Sequence, residues 1–263
     1  MIRNRPAAAA LLACLTLGTG LRVEAEMVPP SSYMAQDAID LVAILPAAPR
    51  SGDARYEADR VTFRATRTLV DTPRWHWAVS DVSEAPADML RNYACAAGIE
   101  LTPARVPVTT RLLVTAAQDT ARANNVAKRH FQRQRPFLID HGPICQPAQE
   151  VTNSFDYPSG HTTLGWTWAL ILAELLPDRA TSILARGRAY GESRIVCGVH
   201  NASAVEAGRL SATLSLTPMR AAPAFQADLA AARAELAALG NRPVPSAERC
   251  RAEADALSVS PLQ

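Results

Sequence analysis

The chain has 263 residues, of which 48% are hydrophobic, and a formal net charge of +2. This length and apolar content suffice for one sizeable buried core, and no repeat or linker divides the chain, so we expect a single globular domain. The near-neutral charge gives no indication of a nucleic-acid partner.

The first 25 residues have the features of a secretory signal peptide. Arg3 and Arg5 precede an apolar stretch at 7–21, and residues 23–25 fit the small-residue rule for cleavage. We predict cleavage there and a periplasmic or secreted protein; an uncleaved membrane anchor is the alternative. Cleavage removes three of 27 basic and one of 25 acidic side chains, which leaves 24 of each sign. No later apolar run is long enough to span a membrane, so we expect no membrane contact after cleavage.

Four cysteines remain beyond this segment: Cys95, Cys145, Cys197 and Cys250. In an exported chain they predict two disulfides, in one of three connectivities between which the sequence does not decide. Their wide spacing lacks the close pairs of a zinc site. We therefore predict no metal site, and nothing in the sequence calls for a cofactor.

The hydrophobic pattern predicts an all-α fold, because no period-2 alternation lasts long enough to build a sheet. An extended segment at 26–55 is expected to precede a helical domain at 56–240, and a C-terminal tail follows at 241–263. The predicted helices cover residues 38–45, 56–70, 87–97, 107–135, 162–176, 179–190, 201–214 and 225–239.

One short stretch, Tyr157 to His161, precedes the most apolar of these helices. Pro158 and Gly160 predict a turn, and Ser159 is a preferred helix-capping residue. The start of a helix presents free backbone N–H groups and the positive end of its dipole. The stretch therefore predicts an anion site in which His161 can act on a bound phosphate or carboxylate. An ordinary capped helix with an incidental histidine is the alternative.

A basic segment precedes this turn. On a helix that continues to Pro136, Lys128 and Arg135 are seven residues apart and lie on one face, where they could grip a tetrahedral anion. Lys128 is the only lysine of the chain, beside 26 arginines. A compact ammonium kept at one position indicates a specific contact, although a solvated basic face is the alternative.

The third segment is Ser193-Arg194, predicted to form a turn with residues 191–192, and His200 six positions later. Arg194 offers a bidentate fork for phosphate oxygens, and a neutral imidazole is a competent nucleophile toward phosphorus. Together the three segments supply what phosphoryl transfer without a metal requires. The positive groups, the Ser159 hydroxyl and the amides of Gly160 and His161 would hold the anion, and two imidazoles would serve the attacking and leaving ends.

The three segments, with the stretches 160–166 and 189–200, resemble the tripartite signature of the type 2 phosphatidic acid phosphatase superfamily and, within it, the class A bacterial non-specific acid phosphatases. The resemblance extends roughly from residue 56 to residue 239. It implies a helical bundle shared with vanadium haloperoxidases, periplasmic phosphomonoester hydrolysis at acidic pH without a metal, and often a homodimer. The substrates would be small phosphate esters.

The resemblance also implies roles for the matching residues. His200 would be the nucleophile that forms a phosphohistidine, and His161 the acid that protonates the leaving alcohol. The groups holding the phosphate would be Lys128, Arg135, Ser159, Gly160 and Arg194.

One position departs from the family pattern, which has an aspartate four residues after the nucleophilic histidine. This chain has Ala204, which cannot orient the imidazole or stabilise its cation. Asn201, Ser203, Glu206 or a water are possible substitutes, none at the same helical position. The sequence therefore predicts a weakened phosphatase. The alternatives are a phosphate-binding protein with little turnover and a vanadate-dependent haloperoxidase.

Overall fold

The computed structural model describes Met1, residues 31–239 and residues 243–262. The predicted signal peptide falls, Met1 apart, outside the described residues and stays a prediction. Within the described ranges the chain forms helices and no strand, which confirms the all-α class. The α-helices are α1 (Leu41–Ile44), α2 (Ala54–Thr66), α3 (Pro73–Ser80), α4 (Pro86–Ala97), α5 (Pro107–Phe131), α6 (Gly160–Leu175), α7 (Ala180–Val196), α8 (Ala202–Ala221), α9 (Pro223–Ala238) and α10 (Ala247–Leu257).

Helix α6 lies at the centre of the bundle and packs against α5, α7 and α8. Large side chains along it, including Trp168, Ile171 and Leu172, are fully buried. A helix that is apolar on nearly every face is stable only where other elements surround it. The helix predicted for 162–176 is thus confirmed and is the core of the fold, although it begins two residues earlier than predicted.

Two glycines let α7 and α8 approach the start of α6 closely. A Cβ atom at Gly191 would lie 2.7 Å from Cγ2 of Thr162, and one at Gly208 would lie 2.6 Å from the carbonyl oxygen of Ser159. Close-packed interiors leave no room for such contacts. The three helices can therefore meet where α6 begins.

The stretch 191–194, predicted as a turn, is instead helical, and that prediction was wrong. Helix α7 continues through it to Val196. The glycine that suggested a turn serves the close packing of α7 on α6. Arg194 is therefore held on the last turn of a buried helix.

Helix α5 ends earlier than predicted. It stops at Phe131, because Gln132 adopts a left-handed conformation with φ of 50°. Arg135 is extended, as expected of a residue that precedes a proline. Lys128 and Arg135 therefore do not share a helix face, and the prediction that they do was wrong.

Two helices were not anticipated, α3 and α10. Helix α3 begins at Pro73, directly after the Thr72 side chain that caps it. Helix α10 lies within the predicted C-terminal tail and packs against α3. The segment after α9 is thus partly helical and belongs to the folded body.

The four cysteines form two disulfides, Cys95–Cys250 and Cys145–Cys197, whose Cα atoms are 5.4 Å and 4.7 Å apart. The first joins α10 to α4, and the second joins the loop before α6 to the residue after α7. The prediction of two disulfides is confirmed, and the structure selects one of the three connectivities. None of the helices within the described ranges is long and apolar enough to cross a bilayer.

Candidate active site

The three motif segments meet at one cavity beside the start of α6. Its volume of about 520 Å³ is in the range of small-molecule sites. Six of the seven predicted site residues line it: Lys128, Arg135, Gly160, His161, Arg194 and His200. The cavity wall also includes Glu84, Gln146 and Glu150.

The seventh predicted residue, Ser159, is fully buried and does not line the cavity. Its hydroxyl oxygen accepts a hydrogen bond of 3.3 Å from the backbone N–H of Thr162, so it caps α6. Because helix-leading amides lack intrahelical acceptors, the Gly160 and His161 N–H groups are available to an anion. The capping role of Ser159 is confirmed, whereas its contact with phosphate stays a prediction.

Lys128 places its ammonium group at the cavity, with only 8% of the residue exposed. Within the described residues this group forms no hydrogen bond or ion pair, although burying an unpaired charge is costly. Burial, together with the nearby Arg135, lowers the pKa of Lys128 to about 8. The lysine therefore remains cationic at acidic pH, and no carboxylate of the described residues forms an ion pair with it, although Asp156 and Glu84 are near enough to raise its pKa.

Arg194 is likewise buried, and two of its three guanidinium nitrogens are unsatisfied. Nη2 donates to the Gln146 amide oxygen. Nε and Nη1 have no hydrogen-bond acceptor in the described part of the chain. Buried donors of a charged group are costly to leave unpaired, so these N–H groups are available to an acceptor in the cavity, and the positive charge favours an anion.

Arg135 is fixed by main-chain acceptors. Its Nε donates to the carbonyl of Ser154 at 2.7 Å, and its Nη1 to that of Val199 at 2.8 Å. The same Nη1 lies 3.1 Å from Nε2 of His200. Arg135 therefore links the cation cluster to one imidazole.

The contacts of His200 determine which ring nitrogen carries the proton. Arginine has no acceptor, so the Nη1 contact requires a lone pair on Nε2. The other nitrogen, Nδ1, lies 3.0 Å from Oδ1 of Asp156 and donates its proton there. Burial, together with Arg135 and Lys128, lowers the pKa of His200 well below its usual value. His200 is therefore neutral in mildly acidic solution, with its nucleophilic lone pair on Nε2.

Asp156 is a site residue that the sequence analysis missed. It contacts Nδ1 of His200, the contact for which Asn201, Ser203, Glu206 or a water had been considered in place of the missing aspartate. Of these, Ser203 pairs with Asp59 and Glu206 with Arg55 on the surface. One sequence feature could have pointed to Asp156: it directly precedes the Tyr157 to His161 turn and therefore lies in the same loop as the predicted anion site.

His161 has an acceptor at each ring nitrogen. Nε2 lies 2.6 Å from the carbonyl oxygen of Asp81 and 2.8 Å from the hydroxyl of Tyr190, whose ring stacks on the imidazole. Nδ1 lies 2.6 Å from Oε1 of Glu84. Because a carbonyl and a carboxylate only accept, this geometry fits the doubly protonated imidazolium.

Opposing influences act on the pKa of His161. Burial and the nearby Arg194 lower it, whereas the carboxylate of Glu84 raises it, and the net direction is downward. The pKa of Glu84 is also lowered: burial raises it, but the hydrogen bond and charge of His161 outweigh that effect. The lowered pKa of Glu84 indicates that it is a carboxylate, and the lowered pKa of His161 indicates that its imidazolium form loses a proton readily.

Several known proteins are similar in sequence to this chain. The model of the PAP2 superfamily matches residues 108–226. An acid phosphatase of Zymomonas mobilis is 40% identical over 190 residues, which are 72% of each chain. A non-specific acid phosphatase of Salmonella typhimurium is 32% identical over 81% of this chain and 86% of its own, and one of Providencia stuartii is 33% identical over 77% and 83%.

A helical bundle with a cationic cavity beside the start of its central helix, lined by two histidines, is the arrangement of a phosphatase of the PAP2 type. The chain belongs to the class A bacterial non-specific acid phosphatases of that superfamily, and it is an acid phosphatase. The resemblance based on the three motif segments is thereby confirmed.

Proposed function

We propose that this enzyme hydrolyses phosphomonoesters in two steps through a phosphohistidine at His200. The observation that carries the proposal is the opposite set of contacts made by the two imidazoles that share the cavity. His200 presents a lone pair on Nε2, and His161 presents protons to two acceptors. A nucleophile and an acid within one site are what ester cleavage requires.

In the first step, Nε2 of His200 attacks the phosphorus atom while the bond from phosphorus to the ester oxygen breaks. The alcohol takes a proton from Nδ1 of His161, which leaves that imidazole neutral. The proton on Nδ1 of His200 remains in place, so the phosphorylated ring carries a positive charge.

In the second step, neutral His161 takes a proton from a water molecule, whose oxygen attacks the phosphorus atom. The bond from phosphorus to Nε2 breaks, inorganic phosphate leaves, and both histidines return to their starting states. The same group thus acts as acid and then as base.

The phosphoryl oxygens would be held by the donors that the fold leaves unpaired. These are the ammonium of Lys128 and the Nε and Nη1 groups of Arg194, with Arg135 and the amides of Gly160 and His161 beside them. Ser159 would add its hydroxyl hydrogen. Preorganised donors of this kind stabilise the charge that develops in the transition state.

The binding-only and haloperoxidase alternatives are less well supported. The first was motivated by Ala204, and Asp156 now lies at Nδ1 of His200. No observation favours the second. Export to the periplasm or medium is supported by the two disulfides and the N-terminal pattern, and a homodimer is proposed from the resemblance alone.

The test is phosphate release from an aryl phosphate between acidic and neutral pH, with acid-sensitive phosphoenzyme trapped by rapid denaturation. The expected result is turnover and a phosphoryl group on the peptide containing His200. Turnover by a His200→Ala variant at the wild-type rate would reject the proposal.

A further inference from the structure

The proposed mechanism leaves one requirement open, a carboxylate that orients the nucleophile. The family resemblance assigns it to position 204, where this chain has alanine. Ala204 is completely buried in a small apolar cluster with Tyr157 and Ala207. Its methyl group can accept no hydrogen bond, so helix α8 does not supply the carboxylate.

We propose that Asp156 is the positioning residue of His200 and that it performs, from the loop before α6, the function that the resemblance assigns to position 204. The proposal rests on the proposed function, because it assumes that His200 is the nucleophile.

The contact geometry supports the proposal from both sides of the ring. Oδ1 of Asp156 is 3.0 Å from Nδ1 of His200, and the guanidinium of Arg135 is 3.1 Å from Nε2. One neighbour only accepts and the other only donates, so together they specify a single tautomer. That tautomer leaves the lone pair on Nε2, where it accepts from Arg135 at the cavity wall.

The Asp156 carboxylate is itself held rigidly. Its Oδ1 accepts from the backbone N–H of Asn201 at 3.1 Å, and its Oδ2 from the Asn201 side chain at 2.8 Å. Nη1 of Arg133 lies 3.5 Å from Oδ2. Asp156 is completely buried. A carboxylate with this many donors has little freedom to turn away from the imidazole.

The carboxylate also has an electrostatic part in the first step. When His200 becomes phosphorylated with Nδ1 still protonated, its ring gains a positive charge among Lys128, Arg135 and Arg194. Asp156 is the acidic group that touches this ring. It therefore offsets a repulsion that would otherwise oppose formation of the intermediate.

Burial raises the pKa of Asp156, whereas Arg133, Asn201 and Arg135 lower it, with burial the larger effect. The charged groups that face the carboxylate are Arg133, Arg135, the nearby Lys128 and, once phosphorylated, His200. Because a protonated Asp156 no longer balances the charge on the ring, its titration should contribute to the acidic limb of the pH profile.

The decisive experiment compares Asp156→Asn with Asp59→Asn. Both aspartates are buried partners of Arg133, but only Asp156 touches His200, so Asp59→Asn reproduces the structural loss alone. We expect Asp156→Asn to lower kcat by roughly 10²–10⁴-fold, with KM nearly unchanged; the upper end is the loss of about 10⁴ that follows removal of the orienting carboxylate in a serine protease. Asp59→Asn should retain kcat to within a few-fold.

Equal kcat values for these two variants, once both are shown to be folded, would overturn the proposal. A second measurement is rescue. Ala204→Asp added to Asp156→Asn should recover at least tenfold in kcat, and no recovery would contradict the claim that the two positions serve one function. In the wild-type background the same change should lower kcat, because it adds a second carboxylate beside the first.

If Asp156→Asn does not fold, ¹⁵N NMR of the wild-type enzyme decides the matter. The expected His200 signals are a protonated Nδ1 and an unprotonated Nε2, and the opposite tautomer would overturn the proposal. Failure of the proposed function is distinguishable, since it would show as unchanged turnover in His200→Ala.

Discussion

The two sides of the cavity treat the same side chain differently. On one side, His200 lies between a donor, Arg135, and an acceptor, Asp156, among positive groups that lower its pKa. On the other, His161 lies between two acceptors, Asp81 and Glu84. The contacts of the two imidazoles thus favour opposite proton states, which the proposed mechanism uses for a nucleophile and an acid; enzymes assign opposite roles to one residue type in this way.

The structures behind the two histidines differ as well. His200 follows Cys197 in the chain, and the Cys145–Cys197 disulfide joins this segment at the end of α7 to the loop before α6. Nε2 of His161 contacts the backbone carbonyl of Asp81, and the carboxylate of Asp81 forms a buried ion pair with Arg186 of α7. A disulfide thus supports the His200 side of the cavity and an ionic network supports the His161 side, so a mutation can disturb either support separately.

The largest expected effect separates the two histidines by leaving group. His200→Ala removes the nucleophile and should reduce kcat by about 10⁶-fold for every ester. His161→Ala removes the acid, so alkyl phosphates should lose roughly 10²–10⁴-fold, whereas nitrophenyl phosphate, whose alcohol leaves without a proton, should lose much less. The measurement is kcat for both esters in His200→Ala and kcat/KM for both esters in His161→Ala, because kcat/KM reports the first step alone, whereas the base role of His161 in the second step lowers kcat for both esters alike. An equal loss for the two esters in His161→Ala would contradict its role as the acid.

A smaller effect is expected from the disulfides. Replacing Cys145 and Cys197 by serine should cost about 3–5 kcal/mol of unfolding free energy, by loss of loop constraint, and should also raise KM. The reason is that Gln146, next to this disulfide, bonds Arg194.

The matched control is the Cys95–Cys250 pair, which encloses a longer loop and lies outside the cavity wall. Its removal should lower stability at least as much and leave KM unchanged. Urea unfolding and steady-state kinetics on both variants provide the measurement. A KM increase in the control alone would refute the assignment of Cys145–Cys197 to the His200 side.

The ionic support of His161 can be broken at Arg186. Its guanidinium contacts Asp81 at 2.5 Å and Glu253 at 2.6 Å, both buried. Arg186→Leu leaves two buried carboxylates without a cation and should destabilise the fold by roughly 3–5 kcal/mol. Arg220→Leu, which breaks the exposed pair with Glu174, should cost at most about 1 kcal/mol. Similar urea midpoints for the two variants would contradict the prediction.

The sequence predicted the helical class and six residues that line the cavity, because both depend on local signals. The hydrophobic pattern predicted both α6 and α9. In α9 the side chains of Phe225, Leu229 and Leu236 are buried on one face. The motif residues were recognisable by spacing alone. Helix ends were harder: a glycine at 191 indicates a turn or a close helix contact equally well, and the tertiary contact with α6 decides.

Asp156, Asp81 and Glu84 could not be assigned from sequence for a related reason. Each acts through a histidine distant in the chain, and the substitutes considered for Ala204 were nearby residues on the same helix. A long-range contact of this kind, 44 residues apart for Asp156 and His200, leaves no periodic trace. Only the packing of the loop before α6 against the start of α8 brings the two together.

The smallest expected effect is that of replacing Glu84, and it tests whether the direct contacts of His161 set its acidity. Its carboxylate raises the pKa of His161, so Glu84→Gln should lower that pKa. His161 must be protonated to act as an acid, and activity is lost as pH rises through its pKa. The alkaline limb of the kcat profile should therefore move to lower pH, with a few-fold loss of kcat near neutral pH.

Glu150→Gln is the matched control for this change. Glu150 also lines the cavity, but its carboxylate accepts from Gln146 at 3.2 Å rather than from a histidine. Both variants remove one negative charge from the cavity and should bind phosphate esters more tightly. Only Glu84→Gln should move the alkaline limb, because only Glu84 touches the imidazole that supplies the proton. A limb that shifts equally in both variants would show that the general field of the cavity, and not the direct contact, sets the acidity of His161.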